Sequence, residues 1–259
     1  MFMRLVGAAA VGLAVLASRP AAQPVRSAQW TEASVPFRVG ETLTYDVTLS
    51  SYVVAGTAVT TVQGKQPSSS VPAAYHIVAE GRPVAMLARL YTLYYKMETF
   101  LDSVTLLPNR MSLISEEGAK RRVGRTNFDR VRRKASFELE SETAARYDFD
   151  VPQQVQDGLS AVYVLRTMNF RTGDRITLPV TDEGNVYTVQ AEVAGREHVS
   201  VPLGALDAWS LKIAIVDAKG QPAASNAGVW ISTDARHLPL KLQADLALGS
   251  FVLLLRQAE

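Results

Sequence analysis

The stretch from Val229 to Leu255, VWISTDARHLPLKLQADLALGSFVLLL, restricts the folds open to this chain more than any other. It reads as a strand, a tight turn and a long return strand. From Leu240 to Leu248 the even positions are Leu240, Leu242, Ala244, Leu246 and Leu248, and the odd ones are Lys241, Gln243, Asp245 and Ala247. Such alternation sends one face to a core and the other to water. Beyond Gly249 the apolar parity moves to Phe251, Leu253 and Leu255. One extra residue in a strand exchanges its faces, and glycine accommodates a bulge most easily. The stretch therefore predicts a long strand with a mid-course bend. That suits a mainly β protein built as one strongly curved antiparallel sheet or an open β-barrel.

The N-terminus has a different character. Met1 to Arg4 is short and positive, Leu5 to Ala17 is apolar, and Ser18 to Gln23 is small and contains proline. This is the pattern of a secretory signal peptide, placed at residues 1–22, and the apolar run is short for a membrane span. An uncleaved anchor is the alternative. Residues 23–36 read as a flexible lead-in and 37–257 as a single β-rich domain. The chain has 259 residues, 47% of them hydrophobic, enough for a sizeable core. It has no cysteine, which excludes disulfides, thiol nucleophiles, Cys-ligated metals and a lipid-modified N-terminal Cys. The expected address is the periplasm or the cell exterior, with the mature chain soluble.

Strands are expected over Leu43 to Leu49, Val53 to Val62 and Tyr75 to Ala79. Lys65 to Ser70 reads as a turn or short loop. Pro83 to Leu90 suits one or two helical turns. Tyr91 to Phe100 alternates as a strand, with an amphipathic helix as its competitor. Arg121 to Phe128 and Arg130 to Glu140 form a hairpin. Asp157 to Phe170 then has helical spacing and is apolar nearly all round, with Asp157 as its cap, which predicts a helix packed on the concave side of the sheet. At least three strands follow Asp174, with a turn at Val201 to Gly204.

Several short patterns carry a resemblance: Gly40-Glu41-x-Leu43-x-Tyr45 with Gly56, then Asp157-x-Leu159-Ser160 ahead of Leu165-Arg166, then Val201-Pro202-x-Gly204, and finally Trp230-x-Ser232-x-Asp234 with Pro239. In this order and spacing, over residues 37–255, the chain resembles the bacterial envelope family of unknown function numbered 3108 (DUF3108). The resemblance implies location and fold rather than chemistry. The implied fold is a bent antiparallel sheet with a helix against it, similar by analogy to the periplasmic lipoprotein-carrier proteins.

Residues that could carry chemistry are scattered. His76, His198 and His237 are isolated, without zinc-site spacing, and no nucleophile elbow or phosphate loop occurs. No metal and no cofactor are expected. Asp234 reads as turn chemistry rather than a buried site acid. Arg166, on a nearly apolar helix, needs a partner, for which Glu41, Asp157 and Asp234 are candidates. Arg121, Arg122, Arg125, Arg130, Arg132 and Lys134 form a basic stripe. It is either a solvated strand face or a surface for anionic membrane or polysaccharide. Nucleic acid is not an expected partner, and the oligomeric state is left open.

The first functional expectation is a noncatalytic envelope protein that binds or carries a lipid or other amphiphile. Tyr45, Leu93, Tyr95, Phe137 and Trp230 would be its inward-facing, ligand-binding residues. The alternatives are a hydrolase acting on an envelope polymer, which needs carboxylates such as Asp234 or Glu41 to converge, and an assembly or scaffolding partner.

Overall fold

A computed structural model describes residues 31–49, 53–66, 73–246 and 249–259. The segment expected to be a signal peptide, the expected lead-in up to residue 30, residues 50–52, most of the KQPSSS stretch and residues 247–248 lie outside the described residues. The first half of the chain is a meander: β1 Thr42–Leu49, β2 Val54–Gln66, β3 Ala74–Pro83, a short helix α1 Ala85–Ala88, β4 Leu93–Asp102, β5 Pro108–Glu117, β6 Lys120–Asp129, β7 Lys134–Glu140 and β8 Ala145–Asp150. A two-residue strand β9 (Gln156–Asp157) leads into α2 Gly158–Arg166. The second meander then follows: β10 Arg175–Asp182, β11 Asn185–Val201, β12 Gly204–Val216, β13 Pro222–Ser232, β14 Pro239–Leu246 and β15 Gly249–Ala258.

All fifteen strands belong to one sheet, and β1 pairs with β15, so the two meanders join along the first and last strands. Neighbours pair antiparallel except β9 and β10, which run parallel. A parallel pair needs a crossover, and α2 supplies it.

The return strand read from the sequence as one bent element is two strands. Leu242 faces Leu253, Ala244 faces Phe251, and Leu246 faces Gly249 across an antiparallel hairpin. The change of parity at Gly249 is therefore a chain reversal, not a bulge. Cross-strand partners share a face, so an even position facing an odd one produces the same flip in sequence.

The helix is shorter than its apolar pattern but begins where the cap predicts. Asp157 accepts hydrogen bonds from the Leu159 and Ser160 amides at 2.9 and 2.8 Å, and its own amide donates to the Ser160 hydroxyl at 2.9 Å. This is a reciprocal capping box with Asp and Ser in the two roles. Leu159 and Tyr163 pack with Phe37, Val62, Tyr75, Ile77 and Leu101 of the first meander. Leu165 packs with Ala191, Val193, Leu211, Val229 and Ile231 of the second. The helix thus lies on the concave side and touches both halves of the sheet.

It lies at one end. Thr99, near the end of β4, donates to Asp157 at 2.6 Å, and Arg166 reaches Glu41, just before β1, and the turn between β13 and β14. Glu41, the end of β4 and the β13–β14 turn belong to the same end of the meander, which we term the base; the helix N-terminus, whose Asp157 pairs with Thr181, also reaches the far end of β10. The connections at residues 84–92, 118–119, 141–144, 183–184 and 217–221 lie at the opposite end, the mouth.

Candidate functional site

The inner wall can be traced through the register. In the first meander, Tyr45 lies beside Ala58, Met97 beside Leu113, and Phe137 between Thr126 and Tyr147. In the second, Val189 lies beside Ile215, and Ala191 beside Ile213. Near the base these side chains are sealed: Ile77, Leu211 and Ile231 are fully buried in clusters with helix residues, and Leu43 beside Tyr45 and Leu255. Toward the mouth they are not. Val47, Met97, Leu113, Leu139, Val189, Ile213, Leu242 and Phe251 are apolar, face inward and are only half-buried. The concave side is a cup, plugged at the base and carrying an apolar wall in contact with solvent above the plug.

The base is held by buried charge. Arg166 donates two hydrogen bonds to Glu41, at 2.6 and 2.9 Å, with Arg166 0% and Glu41 2% exposed. Its guanidinium also donates to the carbonyls of His237 and Arg236 at 3.1 and 3.2 Å, and lies 5.0 Å from the Tyr163 ring. Of the three candidate partners, the fold selects Glu41. The Tyr45 hydroxyl, buried beside this pair, is pushed well above its ordinary value, chiefly by desolvation.

At the mouth the polar groups are sparse. Tyr95 donates to Glu117, and burial together with this bond pushes its hydroxyl up to about 12. Burial also raises Asp182, with the neighbouring Glu183 charge adding to the effect. Arg122 pairs with Glu183 at 3.2 Å, and Tyr147 donates to the Glu183 carbonyl at 3.0 Å. These contacts run from β6 and β8 to the β10–β11 turn and draw the two ends of the open sheet together. Toward the base, Arg130 donates to the carbonyls of Val155 and Pro108, and Gln156 to that of Leu106. Side chains therefore bridge the seam between the sheet ends.

Tyr45 sits on the floor of the cup, Leu93 and Tyr95 at its rim, and Phe137 on its wall near the seam. Trp230, expected to face inward, does not. It lies between Val229 and Ile231, which pack with the helix, so it projects from the outer face. There it donates to Glu197 and carries the Lys241 ammonium 4.2 Å from its ring centre. It borders an outer groove of about 710 Å³ with Val252 and Leu254. Met97, Leu113, Ile213 and Phe251 are wall residues that the sequence reading did not single out. Their period-two positions were the available signal: Met97 shares β4 with Tyr95, Leu113 lies on the neighbouring β5, Phe251 shares β15 with Leu253, and Ile213 alternates with Leu211 and Ile215 on β12.

Asp234 accepts from the Ser232 hydroxyl at 2.7 Å and the Arg236 amide at 3.1 Å, as a turn residue does. Neither it nor Glu41 faces a second carboxylate in a cleft. The basic stripe is interleaved with acids: Arg121 with Glu116 at 3.5 Å, Arg125 with Glu140 at 3.2 Å, Arg132 with Asp129 at 3.7 Å, and Lys134 with Asp150 at 2.9 Å. Arg130 leaves the stripe altogether. Desolvation lowers its guanidinium to about 10 as it turns toward the seam. The histidines stay apart, on β3, β11 and the β13–β14 turn. Among the described residues no group of three His, Cys, Asp or Glu side chains is placed to hold a metal ion, and no helix is long and apolar enough to cross a membrane.

Comparison with known proteins bears on the fold. The model of a family described as protein of unknown function (DUF3108) matches residues 44–256. No curated protein matches the chain at a significant level. The chain is similar to a crystal structure of a β-barrel-like protein of domain of unknown function DUF1849 from Brucella abortus. That likeness has a TM-score of 0.54 and 14% identity, and covers 85% of this chain and 97% of the other. A protein described as exported with a YmcC-like fold, from Bacteroides fragilis, aligns at a TM-score of 0.35 and 12% identity over 88% of this chain and all (100%) of its own.

Proposed function

The chain belongs to the DUF3108 family, whose members carry no assigned activity, and from that premise we propose that it binds or carries an amphiphile in the upper half of its cup. The observation that carries the proposal is the inward, half-buried apolar wall formed by residues such as Met97, Leu113, Ile213 and Phe251 above the helix plug. Wide apolar concavities with a few polar groups at the rim suit small apolar or amphiphilic ligands. Here Tyr95, Glu117, Asp182 and Arg122 supply the rim, and a head group would lie among them. In this reading the role is noncatalytic, and the leader-like pattern of residues 1–22 supports an envelope address.

Native mass spectrometry of the protein purified from its own envelope tests this. A reproducible bound lipid, lost on denaturation, is expected. The paired change Leu113→Arg and Ile213→Arg places charge on opposite walls and should weaken displacement of a fluorescent fatty-acid probe by about tenfold or more. Unliganded protein that also shows no mass shift with lipid extracts would overturn the proposal.

A further inference from the structure

The connection between β3 and β4 presents apolar side chains to solvent at the mouth end. Met86 is 72% exposed, Leu90 80% and Tyr91 53%. Met86 lies in α1 and Leu90 in the turn that follows it, where the Leu90 amide donates to the Leu87 carbonyl at 2.9 Å. Val53, at the neighbouring end of β2, is 70% exposed, and the Val84 amide bonds to the Ala55 carbonyl at 2.9 Å, tying this connection to β2. Of the nearby cations, Arg82 pairs with Glu80 at 3.6 Å and Lys96 with Glu98 at 2.7 Å, which leaves Arg89 between them. Arg89 forms no ion pair among the described residues.

We infer that this tip docks the mouth of the cup on a lipid surface bearing anionic head groups. Two observations favour this over a protein partner. The exposed residues of the tip combine Met and Leu with Tyr, the set that enters the boundary between acyl chains and head groups. Its one charge outside an ion pair among the described residues, Arg89, is positive and complementary to anionic lipid. The cations of the stripe on β6 and β7 are matched by Glu116, Glu140, Asp129 and Asp150. The inference extends the amphiphile-cup reading by giving the mouth a surface to face, and it is tested separately from that reading.

The test is co-sedimentation of the purified protein with vesicles of phosphatidylethanolamine and phosphatidylglycerol, and with phosphatidylcholine vesicles. Wild-type protein should bind the anionic vesicles preferentially. The double variant Met86→Asp/Leu90→Asp should bind them at least about tenfold more weakly, since two apolar anchors are lost. Arg89→Glu should reduce the preference for anionic lipid. Both variants alter exposed side chains, and circular dichroism confirms their folding. Wild-type protein that ignores both vesicles overturns the inference, as does a double variant that binds as wild type or an Arg89→Glu variant with undiminished preference. Fatty-acid probe loading without vesicles is read in parallel and should be unchanged in Met86→Asp/Leu90→Asp. A cup that fails to load removes the amphiphile reading and leaves the vesicle result standing.

Discussion

Arg166 is the most costly residue in the molecule to place and, once placed, among the most costly to remove. Taking a guanidinium and a carboxylate out of water costs several kcal/mol per ion, offset by bidentate geometry and the added carbonyl acceptors. Removing one partner strands the other. We expect Arg166→Met and Glu41→Leu each to destabilise by about 3–5 kcal/mol. The double variant Arg166→Met/Glu41→Leu should recover much of that loss, and urea unfolding of the four proteins measures the coupling. Additive losses would show that the two groups act separately. Arg166 was legible in the sequence as a lone charge on an apolar helix. Its partner was not singled out, because Glu41 lies 125 residues away and only the closed topology brings them together. Local chemistry could have narrowed the choice: Asp157 is committed to its own helix cap, and Asp234 to the Ser232 turn.

Among the elements, α2 is the one whose stability is borrowed. Nine residues are too few for an isolated helix in water. Its ends are fixed by buried polar groups, Asp157 with Thr99 at one and Arg166 with Glu41 at the other. Burial holds the Asp157 carboxyl above its ordinary value of 3.8, against the hydrogen bonds from Thr99, Ser160 and Leu159 that pull it down. A carboxyl raised in the folded state favours folding most below its unfolded value. That contribution is lost as pH rises through the folded value. Asp157→Asn keeps a cap acceptor without the charge, so its stability relative to wild type should improve as pH rises from about 3 to 7. Thermal melts across that range check it, and a constant difference would sink the assignment. The strands show where sequence reading fails. Period two marked the faces of β14 and β15, but a hairpin and a bulge flip parity alike, and only pairing distinguishes them. Trp230 is expected inward from sequence, but its strand offers two apolar faces, and the contact of Val229 and Ile231 with the helix-side core decides between them.

The whole molecule is an open sheet held shut by side chains. At the mouth the closure passes through one glycine: Gly184 has φ +79°, and a Cβ there would overlap the Tyr147 hydroxyl. Gly184→Ala should therefore cost about 1–3 kcal/mol, through left-handed backbone strain and loss of the Tyr147 to Glu183 contact. Hydrogen exchange should quicken in the β8 amides and leave the β1–β15 pair unchanged. Equal protection of β8 in both proteins would remove the seam from the account. The curved antiparallel sheet with a helix against it could be read from alternation and capping, whereas the seam could not, since its contacts join residues with no shared pattern. The pairing of β1 with β15 has a further consequence. The first strand to leave the ribosome waits for the last, so the two meanders cannot be sealed together until the final residues have emerged. Each meander can zip along its own hairpins beforehand, but the ring they make together is completed by the last piece of chain to arrive.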